Sequence, residues 1–299
     1  MRSIGKTLLL TAALAQALAG CSDKPTDLHG LPDDDAERAT LCSRAAVAFA
    51  GAARQLNLPA DEQTRRSDLL QKVIDSTDYF GVTKQSEEAG KKSLADLEST
   101  VTGGQWLDTL NRCKAAYELG EAEKLPALPT DPKEKVAACG AASLIASLKG
   151  GKVADAGNLM QDPQSAYFVM LLAGENKGNM AAAAKAMTEQ AAAVASGGAA
   201  LSLKDQCLAD YPKAKSGTAV SLPADEEQAT LGCALAAALT QQGGGEAAKR
   251  GEAMQKKLNG VTLAVSFLRG NIETRAIDAF TSLGTAPDVL TACEKRFGG

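Results

Sequence analysis

The segment Glu134-Lys-Val-Ala-Ala-Cys139-Gly-Ala-Ala-Ser143 has a counterpart on either side of it in the chain. Glu37-Arg-Ala-Thr-Leu-Cys42-Ser-Arg-Ala-Ala46 precedes it, and Glu227-Gln-Ala-Thr-Leu-Gly-Cys233-Ala-Leu-Ala-Ala237 follows it. In each segment an acidic residue precedes a cysteine within an alanine-rich run that is typical of a helix. The third segment has one extra residue, Gly232, before its cysteine. This recurrence predicts three copies of one helical unit.

Two further features return in the same order around each copy. An acidic proline linker precedes the first cysteine: Leu31-Pro-Asp-Asp-Asp35, Leu128-Pro-Thr-Asp-Pro132 and Leu222-Pro-Ala-Asp-Glu226. A second cysteine follows, with an aromatic residue four positions later: Cys113 with Tyr117, Cys207 with Tyr211, and Cys293 with Phe297. Chance agreement between alanine-rich helices is the alternative explanation. The ordered return favours true repetition and predicts helical modules at 33–125, 126–218 and 219–299.

The chain contains seven cysteines, and the repeat predicts how six of them pair. Cys21 lies apart, near the N-terminus, and the other six could pair in fifteen ways. If each module closes on itself, the disulfides are Cys42–Cys113, Cys139–Cys207 and Cys233–Cys293. The aromatic residue after each second cysteine lies one helical turn away on the same face, so we expect these rings to pack in the core.

The composition favours helices over strands. Of the 299 residues 45% are hydrophobic but only 4% are aromatic, and 57 are alanine. Alanine, leucine, lysine and glutamate favour helices, and no segment alternates apolar and polar residues over the length of a strand. We therefore predict an all-α fold of three tandem helical bundles, each stapled by one disulfide between its first and last helix.

Glycine and proline signals set the predicted helix ends. In module 1 the first helix ends at Asn57-Leu-Pro59, and a polar helix covers about 84–101. In module 2 the alanine-rich helix over 180–195 ends at Gly197-Gly198. In module 3 the predicted helices are 225–242, 246–258, 261–283 and 287–297.

The first 21 residues contain the parts of an export signal. Arg2 and Lys6 are positively charged, residues 8–18 form an apolar run, and Leu18-Ala-Gly-Cys21 ends it. Eleven helical residues extend about 16 Å, roughly half the thickness of a bilayer core, which predicts a signal peptide (residues 1–20) rather than a membrane span. Here the chain resembles the bacterial lipoproteins. The resemblance implies cleavage by the lipoprotein signal peptidase before Cys21, lipid on its sulfur and an acyl chain on its new amino group.

The lipoprotein resemblance also implies a location. Residues 21–32 would form a tether, and the modules would lie in a compartment that permits disulfides. Ser22 follows Cys21, whereas lipoproteins kept in the inner membrane commonly have aspartate at that position. We therefore expect an anchor in the outer membrane that faces the periplasm. An ordinary secretory signal with an unrelated cysteine is the alternative.

The sequence contains no motif for known catalytic or metal chemistry. Walker A, dinucleotide-binding and nucleophile-elbow motifs are missing, and His29 is the only histidine. Acidic clusters at Asp33–Asp35, Glu87-Glu88 and Asp225–Glu227 could supply a carboxylate pair, but charged residues at helix starts are ordinarily solvated. We therefore predict no catalytic, cofactor-binding or metal-binding residue.

The remaining features favour binding over catalysis. A net charge of −4 gives no basic surface for nucleic acid, so we expect none to bind. Tandem modules can enclose a large partner, which predicts a non-enzymatic protein-binding or scaffold function in the envelope. The cysteine and aromatic pattern near each module end also resembles small helical periplasmic immunity proteins, which implies inhibition of a secreted cell-wall toxin. A structural envelope lipoprotein and a carboxylate-dependent peptidoglycan enzyme stay open as alternatives.

Overall fold

The computed structural model describes residues 27–55, 58–85, 105–147, 159–266 and 272–298. Within these ranges every regular element is a helix and none is a strand, so the all-α prediction is confirmed. In chain order the α-helices are α1 (Asp35–Gln55), α2 (Ala60–Ser76), α3 (Tyr79–Gln85), α4 (Trp106–Ala116), α5 (Pro132–Ser147), α6 (Pro163–Glu175), α7 (Met180–Gly197), α8 (Ala200–Asp210), α9 (Glu226–Gln242), α10 (Gly245–Ser266), α11 (Ile272–Leu283) and α12 (Ala286–Phe297). A 3-10 turn at Pro212–Ala214 follows α8.

Some sequence predictions concern residues that lie outside these ranges. The signal peptide, the lipid-attachment residue Cys21 and most of the helix over 84–101 are among them. In module 3 the predicted break near residue 260 is wrong, because α10 continues to Ser266 and the next helix begins at Ile272. The Asn259-Gly260 pair is a local turn signal, but α10 packs along α9, and helix packing overrides a single glycine.

The first helix of each module is the centre of its bundle. In module 1 α1 contacts α2, α3 and α4, in module 2 α5 contacts α6, α7 and α8, and in module 3 α9 contacts α10, α11 and α12. One disulfide joins each central helix to the last helix of the same module: Cys42–Cys113, Cys139–Cys207 and Cys233–Cys293. All six cysteines are fully buried. The three stapled bundles and the predicted pairing are thus confirmed.

An aspartate cap begins each central helix eight residues before its cysteine. The side chain of Asp34 accepts a hydrogen bond from the Glu37 N–H at 2.8 Å. Asp131 and Asp225 do the same for the third following residue, at 3.0 and 2.7 Å. Such caps satisfy amide groups that a helix start leaves unpaired. The three copies therefore share one register, and the interpretation of Gly232 as an extra residue is wrong because Glu227 had been aligned in place of the cap.

Glycines in module 3 lie where helices cross closely. A Cβ atom on Gly232 of α9 would lie 2.9 Å from Leu283 Cδ1 of α11. A Cβ atom on Gly251 of α10 would lie 2.5 Å from the Ala237 carbonyl oxygen of α9. Since carbon atoms do not approach a backbone oxygen so closely, α9 and α10 can pack at this distance only with glycine at 251.

Replacing Gly251 tests this crossing. We expect Gly251→Ala to lower the free energy of unfolding by about 1–3 kcal/mol, because the backbones must move apart. Gly51 of α1 is a matched control, since nothing lies within 4 Å of its Cβ position. Gly51→Ala is expected to stabilise by about 0.5–1 kcal/mol, because alanine is the better helix former. Urea denaturation measures both, and stabilisation by Gly251→Ala would contradict the close crossing.

The hydrophobic side chains of the described residues form two large cores, with a smaller third cluster inside module 2. Module 1 has its own core, which includes Cys42, Trp106 and Cys113. Modules 2 and 3 share a second core that contains both of their disulfides. Tyr167 of α6 joins the two halves, because its hydroxyl donates to the Thr281 carbonyl at 3.1 Å. Burial raises the pKa of Tyr167 to about 12, so the phenol stays protonated as a donor. The module boundaries drawn from the sequence stay predictions.

Candidate functional site

Modules 1 and 2 meet at a joint formed by Trp106, Leu107, Gly198 and Ala199. Trp106 begins α4 and is 5% exposed. Gly198 follows α7 in the left-handed conformation (φ +66°), and any Cβ atom there would overlap the Trp106 indole. The Leu107 N–H donates to the Gly198 carbonyl at 2.9 Å. Ala199 lies within the core of module 1. The joint is therefore both packed and hydrogen-bonded.

The linker that leaves module 1 is held by the module itself. The Glu123 N–H donates to Asn111 Oδ1 at 2.6 Å, and Asn111 Nδ2 donates to the Glu123 carbonyl at 3.0 Å. The Glu123 carboxylate accepts from Lys114 at 2.6 Å and from Arg65 at 2.8 and 2.9 Å. Backbone and side chain are thus both fixed, so the chain leaves module 1 along one defined path.

A cleft of about 200 Å³ lies beside this joint, between α4 and the start of α8. We call it the joint cleft. Its lining includes Asp108, Thr109, Arg112, Leu201, Ser202 and Asp205. Leu201 is 47% exposed, which is unusual among the large apolar side chains of the described residues. The cleft thus offers the apolar side chain of Leu201, flanked by the carboxylates of Asp108 and Asp205 and the guanidinium of Arg112.

Arg112 connects the joint cleft to the incoming chain. One guanidinium nitrogen donates to the Gly30 carbonyl at 3.2 Å, and another donates to Thr109 Oγ1 at 3.4 Å. Its Nε lies 3.4 Å from Asp108. Arg112 therefore anchors residues 27–31 to α4 and forms a wall of the cleft at the same time.

The size of the joint cleft limits what it can hold. Pockets for small ligands and cofactors usually measure about 300–1,000 Å³. At about 200 Å³ the joint cleft is smaller, and it suits a few side chains of a protein surface. A larger groove of about 340 Å³ lies between α9 and α11 in module 3, but its apolar residue Leu231 is buried. The joint cleft is the better candidate because it exposes Leu201.

Among the described residues, ion pairs lower the pKa values of four glutamate carboxyl groups. Hydrogen bonds from Arg65 lower the pKa of Glu62 to about 2, and Arg65 likewise lowers that of Glu123. Lys256 lowers the pKa of Glu252, and Arg250 lowers that of Glu294. A general acid needs a pKa raised toward neutrality, so these shifts run in the opposite direction.

The Glu62 shift predicts a pH dependence of module 1. Because the pKa in the folded state lies below the ordinary value of 4.5, the stabilisation is present above that value and is lost as pH falls toward about 2. We expect Glu62→Gln to remove up to about 1 kcal/mol of stability at pH 7 and less at pH 2. Thermal melts at both pH values measure this difference. The control is Glu189→Gln in module 2, because the Glu189 side chain is 63% exposed. This substitution should leave the stability unchanged at both pH values.

The acidic clusters chosen from the sequence support helix starts. Asp34 and Asp225 are caps, and Asp35 forms a hydrogen bond with Arg38. Glu227 pairs with Arg275 at 2.6 Å. The Glu87-Glu88 cluster lies outside the described residues.

The aromatic residues after the second cysteines were expected in the core, but they are only partly buried and lie at the edges of the cores. Tyr117 is packed against the core of module 1, and Tyr211 and Phe297 are packed against the shared core. The Tyr117 hydroxyl also accepts a hydrogen bond from Arg38 Nε at 2.9 Å, a contact that sequence reasoning missed. Arg38 lies four residues before Cys42, so its helical spacing was a usable signal.

The joint was the larger omission of the sequence analysis. The Gly197-Gly198 pair predicted a helix end correctly, since α7 ends at Gly197. Nothing in the local pattern connected that turn with Trp106, the only tryptophan in the chain. A large aromatic side chain at the start of a predicted last helix was the one available signal.

The described residues hold no cluster of three or more possible metal ligands, and none of their helices could span a membrane. The three disulfides indicate an oxidising, extracytoplasmic compartment. Comparison with family models, with curated proteins and with solved structures found no match for this chain.

Proposed function

We propose that this protein is a lipid-anchored, periplasm-facing helical-repeat protein that binds a protein partner of the cell envelope through the joint cleft. The anchor is the lipid on Cys21, most simply in the outer membrane because Ser22 follows it. The partner contributes an apolar side chain to Leu201 and polar groups to the charged residues around it.

The observation that carries the binding proposal is the fixed joint. Trp106 packed on Gly198 and the hydrogen bond from Leu107 hold modules 1 and 2 in one arrangement. A surface that is already ordered loses little conformational entropy when it binds, which raises affinity for a given contact area. Leu201 is thereby exposed on a fixed helix start rather than on a mobile loop.

The inhibitor proposal is a narrower form of the same function. In that form the partner is a secreted toxin that acts on the cell wall, and the protein protects the cell that makes it. A rigid cleft with Asp108 and Asp205 suits a basic, protruding element of such a partner, because opposite charges favour encounter and register.

Site-specific crosslinking tests the binding proposal. A photoreactive amino acid at Leu201 in the full-length protein, irradiated in intact cells, should give one discrete adduct with an envelope protein. The same group at Lys185 on the exposed face of α7 should give none. Adducts at neither position, or equal adducts at both, would contradict binding at the joint cleft.

A second variant separates binding from misfolding. Gly198→Val should displace Trp106 and open the joint, because its φ of +66° disfavours a branched side chain and a Cβ atom would overlap the indole. The shared core of modules 2 and 3 should stay folded. Loss of the Leu201 adduct with retained disulfides supports the proposal.

Release of defined peptidoglycan fragments by the purified protein would instead favour the enzyme alternative.

The anchor has its own test. Mass spectrometry of the N-terminal peptide from membranes should show Cys21 as the first residue, carrying diacylglycerol and an acyl chain. Cys21→Ala should abolish both the cleavage and the modification. A mature chain that begins elsewhere, without lipid, would refute the lipoprotein proposal while leaving the binding proposal intact.

A further inference from the structure

Module 1 exposes the phenylalanine of a Tyr-Phe pair at the start of α3, whereas the Tyr-Phe pair inside α6 of module 2 is buried. Tyr79 and Phe80 begin α3 with their rings 5.4 Å apart, and Phe80 is 64% exposed. In module 2 the pair Tyr167-Phe168 is 4% and 0% exposed. Phe280 of module 3 covers it, with ring centroids of Tyr167 and Phe280 at 6.5 Å. Within the described residues, Phe80 is the most exposed large apolar side chain.

The exposed pair lies at the end of module 1 where the chain enters. Arg66 of α2 donates to the Phe49 carbonyl of α1 at 3.3 Å, so the two helices run antiparallel through a short connection. Therefore α2 ends, and α3 begins, near the start of α1. Arg38 in the first turns of α1 donates to the Pro32 carbonyl at 2.7 Å, which fixes the incoming chain at the same end.

The distance from this end to the proposed lipid is short. Leu31 is buried and Gly30 is bonded to Arg112, so the chain is docked on module 1 from about residue 28. Cys21 and Asp27 are six residues apart, and six extended residues span at most about 21 Å. Whatever conformation residues 22–26 take, a lipid on Cys21 keeps this end of module 1 close to the membrane.

We infer that module 1 docks on the lipid surface through Phe80 and Tyr79, with Phe80 entering the boundary between headgroups and acyl chains. This inference rests on the proposed lipid anchor. The phenylalanine ring is apolar and the tyrosine ring is amphipathic, so both are suited to that boundary. A tether this short keeps them at high local concentration near it. The inference commits to a lipid surface rather than to a helix of another protein.

The charges at this end select the kind of lipid. Four exposed carboxylates lie around it, against two lysines, Lys72 on α2 and Lys84 on α3: Asp33, Asp34, Asp75 and Asp78. A net negative end is repelled by anionic headgroups, so the preferred surface is zwitterionic, such as phosphatidylethanolamine. Docking should therefore weaken when anionic lipid is added at low salt and recover at high salt, where charges are screened.

Fluorescence in vesicles tests the docking. The lipidated full-length Phe80→Trp protein is reconstituted into vesicles of phosphatidylethanolamine and phosphatidylcholine, with or without brominated acyl chains. We expect brominated chains to lower the added emission by at least about twofold, because the indole lies at the acyl boundary. Trp106 is buried, and its emission is subtracted with the wild-type protein.

Leu201→Trp is the matched control, because Leu201 is exposed beside the start of α4. Tyr117, just after α4, bonds to Arg38 at the entry end, so the eleven residues of α4, about 16 Å of helix, separate that end from the start of α4. We expect no quenching there. Lipidated, vesicle-bound protein without quenching at position 80, or with equal quenching at both positions, overturns the docking and leaves the anchor standing. A Cys21 without lipid overturns both.

Discussion

Removing the Cys139–Cys207 disulfide is expected to destabilise modules 2 and 3 together by about 4 kcal/mol. The bridge closes a loop of 68 residues, and a loop of that length stabilises a fold by about this amount through the unfolded chain. Because both disulfides of modules 2 and 3 lie in one core, the loss should not stop at the module boundary. A Cys139→Ala/Cys207→Ala variant should therefore melt on the order of 10 °C lower in the transition of that core.

The matched control is Cys42→Ala/Cys113→Ala, which opens a loop of 71 residues in the separate core of module 1. The free-energy loss should be similar, but it should be confined to module 1. Hydrogen exchange resolves the two cases, since amides of α9 should lose protection only in the first variant. If the α9 amides keep their wild-type protection in the variant that lacks the Cys139–Cys207 disulfide, modules 2 and 3 do not share a core.

The second large effect is expected for Phe280→Ala. Phe280 is fully buried and packs against Tyr167 across the boundary between modules 2 and 3. Truncation of such a ring removes its contacts and leaves a cavity, at a loss of about 3–5 kcal/mol. Chemical denaturation of the purified oxidised protein measures the loss.

Phe80→Ala provides the comparison for Phe280→Ala. The same truncation at a position that is 64% exposed should change the free energy of unfolding by no more than about 0.5 kcal/mol. Exchange rates of α6 amides add a second readout, because they should rise in Phe280→Ala. If α6 keeps its protection, Phe280 stabilises only module 3 and the two modules are independent.

The repeat and the disulfide pairing could be predicted from the sequence because they depend on order along one chain. Caps, cysteines and aromatic residues recur in the same order, and each disulfide joins two cysteines of the same module. The same order was visible in Asp34, Asp131 and Asp225, yet the register was first set on glutamates. Because a capping side chain must accept from the N–H of the third following residue, its distance from the helix start is fixed, whereas a glutamate in the first turn has no such constraint.

The association of the modules could not be predicted in this way. Tyr79-Phe80 and Tyr167-Phe168 are the same pair of residues in sequence, but one phenylalanine is exposed and the other is buried. Periodicity shows that a face is apolar, and it does not show which other face covers it. The joint at Trp106 and Gly198 escaped prediction for the same reason, because it joins residues from different modules.

One pair of positions shows how the copies have diverged. In module 1 Arg38 bonds to the Tyr117 hydroxyl, and in module 2 Lys135 bonds to Asp210 beside Tyr211. Module 3 has a buried alanine, Ala229, and Phe297 at the matching positions. Cation and hydroxyl are thus absent together, which avoids leaving a polar group unpaired against the core.

The order of the bridges has a consequence for assembly after export. The six cysteines bond in consecutive pairs along the chain, first to second, third to fourth and fifth to sixth, so no bridge spans another. As the polypeptide emerges N-terminus first, a thiol oxidant that joins consecutive thiols of the six produces the native set without reshuffling. Cells that lack a disulfide isomerase but retain the oxidant should therefore still secrete the correctly crosslinked protein.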